Sequence, residues 1–231
     1  MSFPRGVIVT GGTGALGRAV VLSLRARGAR VAVPWRRAED GRALKRDETQ
    51  VVGIEANLAL PEGAAAFVDE AVRRLGVLDG LVLAAGGWAG GTSFHEAPAG
   101  EWEAMLRTNL DTAAHVCRAA LPHLRKQGGS VVAVGSRAAE ADGAGMAAYA
   151  VSKVAVHALV RVLAVENAPH RVRVNAVLPG TIDTEANRRA MPNADRSRWT
   201  SPEAIAEVIV FLLSSESAPT TGALVPVDAP A

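Results

Sequence analysis

The chain has 231 residues, 49% hydrophobic and 4% aromatic, with 23 glycines and a formal net charge of +2. That length fits one α/β domain with helices on both faces of a full sheet, and the many Ala, Val and Gly residues suit parallel strands under closely packed helices. Its basic residues are scattered, which argues against a nucleic-acid stripe, and the lone cysteine, Cys117, excludes an intrachain disulfide and a cysteine-based metal site. No stretch reads as long and apolar enough to span a bilayer, and Met1–Arg5 leads directly into a strand without a secretory signal, so a cytoplasmic location is expected.

In chain order, Gly6-Val7-Ile8-Val9-Thr10 reads as a short buried strand, followed by Gly11-Gly12-Thr13-Gly14-Ala15-Leu16-Gly17 and a helix from about 15 to 26. Gly12, Gly14 and Gly17 satisfy G-x-G-x-x-G in the strand–turn–helix setting that phosphate binding requires. Glycines let backbone approach a pyrophosphate, and the helix N-terminus offers unpaired N–H groups. A merely tight turn is the plainer alternative. The second strand, Arg30–Val33, leads to Pro34-Trp35-Arg36-Arg37, with no acid to hold a ribose 2′-hydroxyl until Glu39. Arg36 or Arg37 could pair with a 2′-phosphate, and Trp35 could stack on adenine, which favours NADP(H) over NAD(H). Alternatively both arginines simply face water.

Residues 38–50 read as a loop or short helix, and Val51–Ile54 as the third strand. Asn57 and Leu58 follow, with Asn57 placed to reach the adenine edge. A helix from Pro61 to about Leu75 and a strand over 78–84 come next, ending in Ala84-Ala85-Gly86-Gly87, where small residues would let a cofactor lie. Residues 88–100 read as a loop. The helix over 101–126 is expected to break near Thr108, to be irregular or inward-facing at Asn109, and to bend or end at Pro122. The fifth strand, 129–135, ends at Ser136.

The next helix carries Tyr149, the only tyrosine, and Lys153 one turn further along the same face. A phenol ionises near pH 10, and moving it to neutrality takes roughly 4 kcal/mol, about what one nearby positive charge supplies. Such a phenol exchanges a proton with a carbonyl or alcohol oxygen. An ordinary amphipathic helix with a solvated lysine is the competing reading of this pair alone. Pro169 stops the helix, and a strand over 172–177 leads to Pro179-Gly180. Residues 181–200 read as an irregular polar lid, 202–213 as a helix capped by Ser201, and 224–227 as a last strand. Alternating strands and helices predict a single-domain, doubly wound parallel sheet of about seven strands over 1–231, with ligands beyond the strands' carboxyl ends. The five histidines form no metal-ligand spacing, so no metal site is predicted. Trp88, His95, Met146 and Trp199 are candidates to line a substrate pocket.

The ordered set Thr10–Gly17, Thr108-Asn109-Leu110, Val134-Gly135-Ser136, Tyr149-x-x-x-Lys153 and Pro179-Gly180-Thr181-Ile182-Asp183-Thr184 resembles the short-chain dehydrogenase/reductase family over nearly the whole chain. The resemblance implies hydride exchange between a nicotinamide and a carbonyl or secondary alcohol. Tyr149 would be the general acid/base, Ser136 the substrate-oxygen donor, Lys153 the ribose holder that lowers the Tyr149 pKa, and Asn109 the holder of a relay water. Gly11, Thr13, Gly14, Leu16, Gly17, Arg36, Arg37, Asn57, Leu58, Ala85, Gly86, Tyr149 and Lys153 would bind cofactor, with Pro179, Ile182 and Thr184 at its carboxamide end. Three departures stand out: Ala15 replaces the family's middle glycine, Leu83-Ala84-Ala85-Gly86 replaces Asn-Asn-Ala-Gly, and Asn57 replaces an acid. The glycine loop also resembles that of dihydropteridine reductases, so a pteridine-type reductase is a second enzymatic reading. A non-catalytic dinucleotide sensor or scaffold is the non-enzymatic one. The family implies a homodimer or homotetramer acting on a small molecule, without nucleic acid or membrane.

Overall fold

A computed structural model describes residues 3–47, 51–140 and 143–228. The elements run β1 (Gly6–Thr10), α1 (Ala15–Ala26), β2 (Arg30–Trp35), α2 (Ala38–Asp47), β3 (Val52–Glu55), α3 (Pro61–Leu75) and β4 (Gly80–Leu83). Then come α4 (Glu101–Met105), α5 (Thr112–Leu124), β5 (Gly129–Val134), α6 (Ala147–Asn167), β6 (Val172–Pro179), α7 (Glu185–Ala190), α8 (Pro202–Leu213) and β7 (Leu224–Val227). The strands form one parallel seven-stranded sheet in the order β3-β2-β1-β4-β5-β6-β7.

Period-two alternation divides each buried strand between two cores. Val7 and Val9 of β1 face α1 and α8 with Val31, Val33, Val132 and Val177. Ile8 faces the other way, with Leu81, Val131, Val174, Phe67 of α3, Val116 of α5 and Val160 of α6. Fully burying side chains of this size stabilises by about 1.5–3 kcal/mol each, which makes these two layers the main stabilising term. The chain order reverses at β1–β4, where the connections leave toward opposite edges and open a crevice at the carboxyl ends.

Three details differ from the sequence expectation, and one open choice is decided. The second strand continues through Trp35, because Ala32–Trp35 pair with Val52–Glu55 of β3. Of the loop or short helix expected over 38–50, residues 38–47 form the helix, the last three lying outside the described residues. The 181–200 segment is not irregular throughout: α7 forms inside it, capped by the Thr184 hydroxyl, which accepts from Asn187 N at 3.1 Å. Its two ends are clipped together by Thr200 N to Thr181 O (3.1 Å) and Asp183 N to Thr200 O (2.9 Å). Finally, Ala147–His170 is long and apolar enough to cross a membrane by length and composition, contrary to the reading of the sequence, and 44% of that window is buried in the fold. It is apolar because α6 packs one face on β6 and the core.

The break foreseen near Thr108 is a π-helical turn over Leu106–Asp111 between α4 and α5. A π turn inserts an extra residue and commonly marks a functional position. Here it turns Asn109 inward, leaving it 2% exposed. Pro122 lies in the last turn of α5, which ends at Leu124.

Candidate active site

The turn from β1 to α1 is held by Gly14 N donating to Gly11 O at 3.0 Å, with Gly11 at φ 68°. A β-carbon on Gly17 would run into the Gly11 carbonyl, and one on Gly11 would stand 2.6 Å from the Ala84 carbonyl oxygen. The helix therefore starts as close to the loop as backbone allows. Gly14 is the N-cap of α1 and offers no side-chain cap, and no acid lies in the first turn. That N-terminus presents N–H groups and a positive dipole end to an anion. Ala15 is the first helical residue and is exposed, so its methyl group fits without rearrangement. Leu16 is buried, and Thr13 and Gly14 are exposed at the mouth. These residues fit a dinucleotide pyrophosphate. Gly17→Ala is expected to cost roughly 1–3 kcal/mol by chemical denaturation and to abolish dinucleotide binding by titration; wild-type stability in that variant would contradict the close-approach reading.

At the end of β2 the two arginines part. Arg37 closes on Asp40 (3.0 and 3.1 Å) and Glu39 (3.2 Å), so its guanidinium is already paired. Among the described residues Arg36 has no ion-pair partner, and it lines an open hollow with Ile54, Glu55, Ala56 and Asn57. Trp35 does not stand free for adenine. Its ring lies under α2, where β-carbons on Gly41 and Gly53 would stand 2.8 and 3.5 Å from it. Asn57 is exposed and its Oδ1 accepts from Ala59 N at 3.2 Å, while Leu58 is buried in the core.

Past β4, the missing family asparagines have a substitute that the sequence reading overlooked. Thr10 Oγ1 donates to Val82 O at 3.3 Å and accepts from Ala85 N at 3.1 Å, stitching the end of β1 to the Ala85-Gly86 bend. Asn109 supplies the next tie. Its Oδ1 accepts from Gly87 N (2.8 Å), and its Nδ2 donates to Gly87 O (3.1 Å) and Ser152 Oγ (2.9 Å). Ser152 Oγ in turn donates to Tyr149 O at 2.7 Å. Asn109 thus joins the β4 exit to α6. A β-carbon on Gly86 would stand 2.8 Å from Asn109 Oδ1 and 3.4 Å from Lys153 Nζ, which places Gly86, Asn109 and Lys153 around one point.

Ser136, Tyr149 and Lys153 meet beyond the end of β5. Ser136 is 6% exposed, its Oγ accepts from Ala138 N at 3.1 Å, and its side chain lies close enough to the Tyr149 phenol to act on its ionisation. The β4–β5 register stops at Leu83–Ala133, and Lys153 Nζ donates to the carbonyl of the next residue, Val134, at 2.9 Å. Burial pushes the Lys153 ammonium down to about 8. The Tyr149 pKa is raised above its ordinary value by burial, with the Ser136 side chain pulling the other way. This corrects the expectation that Lys153 depresses it. Lys153 Nζ lies 6.0 Å from the ring centroid and spends a hydrogen bond on Val134, so desolvation wins over attraction.

Pro179 closes β6 opposite Val227, and the Ile182 carbonyl accepts from Thr184 N (2.9 Å) and Asn187 Nδ2 (2.8 Å). Asp228 lies beside Gly180 and pairs with Arg137 at 3.3 Å, tying the residue after Ser136 to the end of β7. Of the four pocket candidates, Trp88 and Met146 come together where the loop after β4 crosses Gly145: Gly91 N donates to Gly145 O at 2.7 Å, and a β-carbon on Gly90 would touch Trp88 and Met146. His95 faces solvent beside Glu96, and Trp199 is covered by the Arg196 guanidinium, 5.6 Å from its centroid.

Comparison with known proteins identifies the family. The short chain dehydrogenase family profile matches residues 5–195. An L-rhamnose 1-dehydrogenase (NAD(P)(+)) of Sphingomonas sp. (strain SKA58) is 32% identical over 96% of this chain and 94% of its own. A probable galactose dehydrogenase, GalD, of Rhizobium meliloti (strain 1021) is 36% identical over 88% of this chain and 78% of its own. A solved short-chain type dehydrogenase/reductase from Mycobacterium ulcerans superposes with a TM-score of 0.92 at 27% identity, covering 98% of this chain and 90% of that one. The chain belongs to the short-chain dehydrogenase/reductase family. It is an oxidoreductase of alcohol and carbonyl groups that uses an NAD(P)-type cofactor.

Proposed function

We propose that this protein exchanges hydride between NADP(H) and a small ketone or secondary alcohol, with Tyr149 as general acid/base. The observation that carries this is the gathering of Ser136, Tyr149 and Lys153 beyond the end of β5, with the Ser136 side chain acting on the Tyr149 phenol and Lys153 buried one turn along the same helix. The cofactor supplies the hydride at its nicotinamide ring. Gly11, Thr13, Gly14, Leu16 and Gly17 would hold its pyrophosphate, Arg36 its 2′-phosphate and Asn57 its adenine, with the buried Leu58 anchoring that turn to the core. Ala85, Gly86 and Lys153 would hold the nicotinamide ribose, and Pro179, Ile182 and Thr184 the carboxamide.

In the reducing direction Tyr149 donates its proton to the substrate oxygen as charge develops there, and Ser136 Oγ steadies that oxygen. A phenol held protonated by burial is in the right form for this step at neutral pH. Lys153 places positive charge behind it, and the buried Asn109 fixes the Gly87 bend and α6 at their meeting point. Arg37 is left out of the phosphate site because Asp40 and Glu39 already hold it. The exposed stripe Val151, Val154, Ala158, Val162 and Val165 on α6 supports a homodimer or homotetramer. The one buried free thiol, Cys117, suits a reducing cytoplasm.

The test is NADPH oxidation against a panel of ketones, sugars and pteridines. Turnover on ketones is expected; tight NADPH binding with no turnover on any of them would favour a sensor. Arg36→Ala is expected to raise the NADPH dissociation constant by roughly 10–100-fold while leaving that of NADH within about twofold. Equal effects on both would remove the 2′-phosphate assignment.

A further inference from the structure

A buried histidine stands behind the catalytic serine. His157 follows Lys153 by one helical turn and Tyr149 by two, so the three share a face of α6. It is 6% exposed. Its Nε2 accepts a hydrogen bond from the backbone N–H of Ser136 at 3.4 Å. An acceptor at Nε2 means that the ring proton sits on Nδ1.

Gly135 shows that this place is built. It does not lie in the left-handed region, so its backbone does not require glycine. A β-carbon there would collide with His157 Nε2 and stand 2.5 Å from Leu178 Cδ2. The absence of a side chain at Gly135 is what lets the imidazole reach Ser136. The glycine before the serine and the histidine on α6 therefore form one packing unit across β5 and α6.

We propose that His157 is a positioning residue: its neutral imidazole holds the Ser136 backbone so that Ser136 Oγ stays turned toward the Tyr149 phenol, and protonation of the ring releases it. The imidazolium carries a proton on both nitrogens, so it cannot accept from Ser136 N–H and sets donor against donor. The buried N–H would be left without its partner. Among the described residues, the charged groups acting on the ring are Glu140, from the turn after Ser136, and Lys153 and Arg161, from its own helix. Burial lowers the His157 pKa most, Lys153 and Arg161 add to that, and Glu140 opposes it. The ring is thus neutral at pH 7, and the release falls on the acid side, below pH 6.5.

This inference rests on the roles given to Ser136 and Tyr149, and its test uses the single tyrosine so that it does not need turnover. The tyrosinate ultraviolet band reports Tyr149 alone, and the Ser136 side chain acts to lower its pKa. His157→Leu removes the acceptor; His157→Gln restores one through its side-chain carbonyl. The expected result is that His157→Leu ionises Tyr149 at a higher pH than wild type and His157→Gln does not. In ketone reduction, His157→Leu is expected to lower kcat roughly tenfold at pH 7.5 with the NADPH KM unchanged. Wild-type kcat should fall below pH 6.5, and His157→Gln should stay flat there. Unshifted tyrosine ionisation in His157→Leu would overturn the proposal, as would a wild-type acid limb in His157→Gln. Should wild type reduce nothing, the catalytic reading fails first, and the tyrosine titration still decides the positioning role.

Discussion

Replacing Tyr149 by phenylalanine is expected to lower kcat for ketone reduction by roughly 10²–10⁴-fold, the usual worth of a positioned proton donor. The NADPH dissociation constant should stay within about threefold, because the ring remains and only the proton-bearing oxygen is lost. The variant keeps the ring and loses only a hydroxyl, which should change stability by only about 1 kcal/mol. A turnover defect with intact cofactor binding and a near-normal unfolding midpoint would therefore place the loss in the chemical step. Tyr149→Phe with wild-type kcat would show that the proton comes from elsewhere. Weakened NADPH binding in proportion to the lost rate would assign the phenol to cofactor holding instead.

The second large effect runs in opposite directions for activity and stability. Lys153 is 6% exposed, pairs with no carboxylate among the described residues, and is pushed from 10.5 to about 8 by burial. That depression corresponds to a cost of about 3 kcal/mol at neutral pH. The bond to Val134 O offsets about 1 kcal/mol of it. Lys153→Met fills the same space without the charge, so it is expected to stabilise the cofactor-free protein by about 2 kcal/mol, or roughly 4–8 °C. Activity should fall at least about a hundredfold, since the ribose and the developing charge lose their cation.

The pH dependence gives this an independent signature. The folded pKa lies below the unfolded one, so between about 8 and 10.5 the unfolded chain binds the additional proton. Wild-type stability should gain from this lysine as pH rises through that window, with the full cost present below it. Lys153→Met should lack that gain. A variant less stable than wild type at pH 7, or one with the same alkaline gain, would mean that the buried ammonium is better compensated than its surroundings indicate.

Much of this arrangement was legible in the sequence because it rests on local rules. Val7–Val9 are a continuous apolar run between turn residues, Gly11–Gly17 can only be a close-packed loop, and Tyr149 and Lys153 share a helix face by spacing alone. Asn109 gave its irregularity away as a poor helix former inside a helical pattern. What stayed hidden depends on partners distant in sequence. Arg36 and Arg37 are equivalent in a string; only the fold shows Asp40 and Glu39 occupying one of them. The spacing of Tyr149 and Lys153 suggested a depressed phenol, but spacing carries no information on burial, and burial sets the sign. Thr10 and His157 were missed for the same reason. Each acts on a residue from another strand or helix, although His157 at one turn past Lys153 was a signal that could have been read.

The most direct test of the central claim is to titrate the only tyrosine by its ultraviolet tyrosinate band in the cofactor-free protein. A buried phenol beside Ser136 is predicted to ionise above pH 10, and Ser136→Ala is predicted to move that ionisation higher still. Ionisation at or below pH 10, or a Ser136→Ala titration that overlays wild type, would contradict the account.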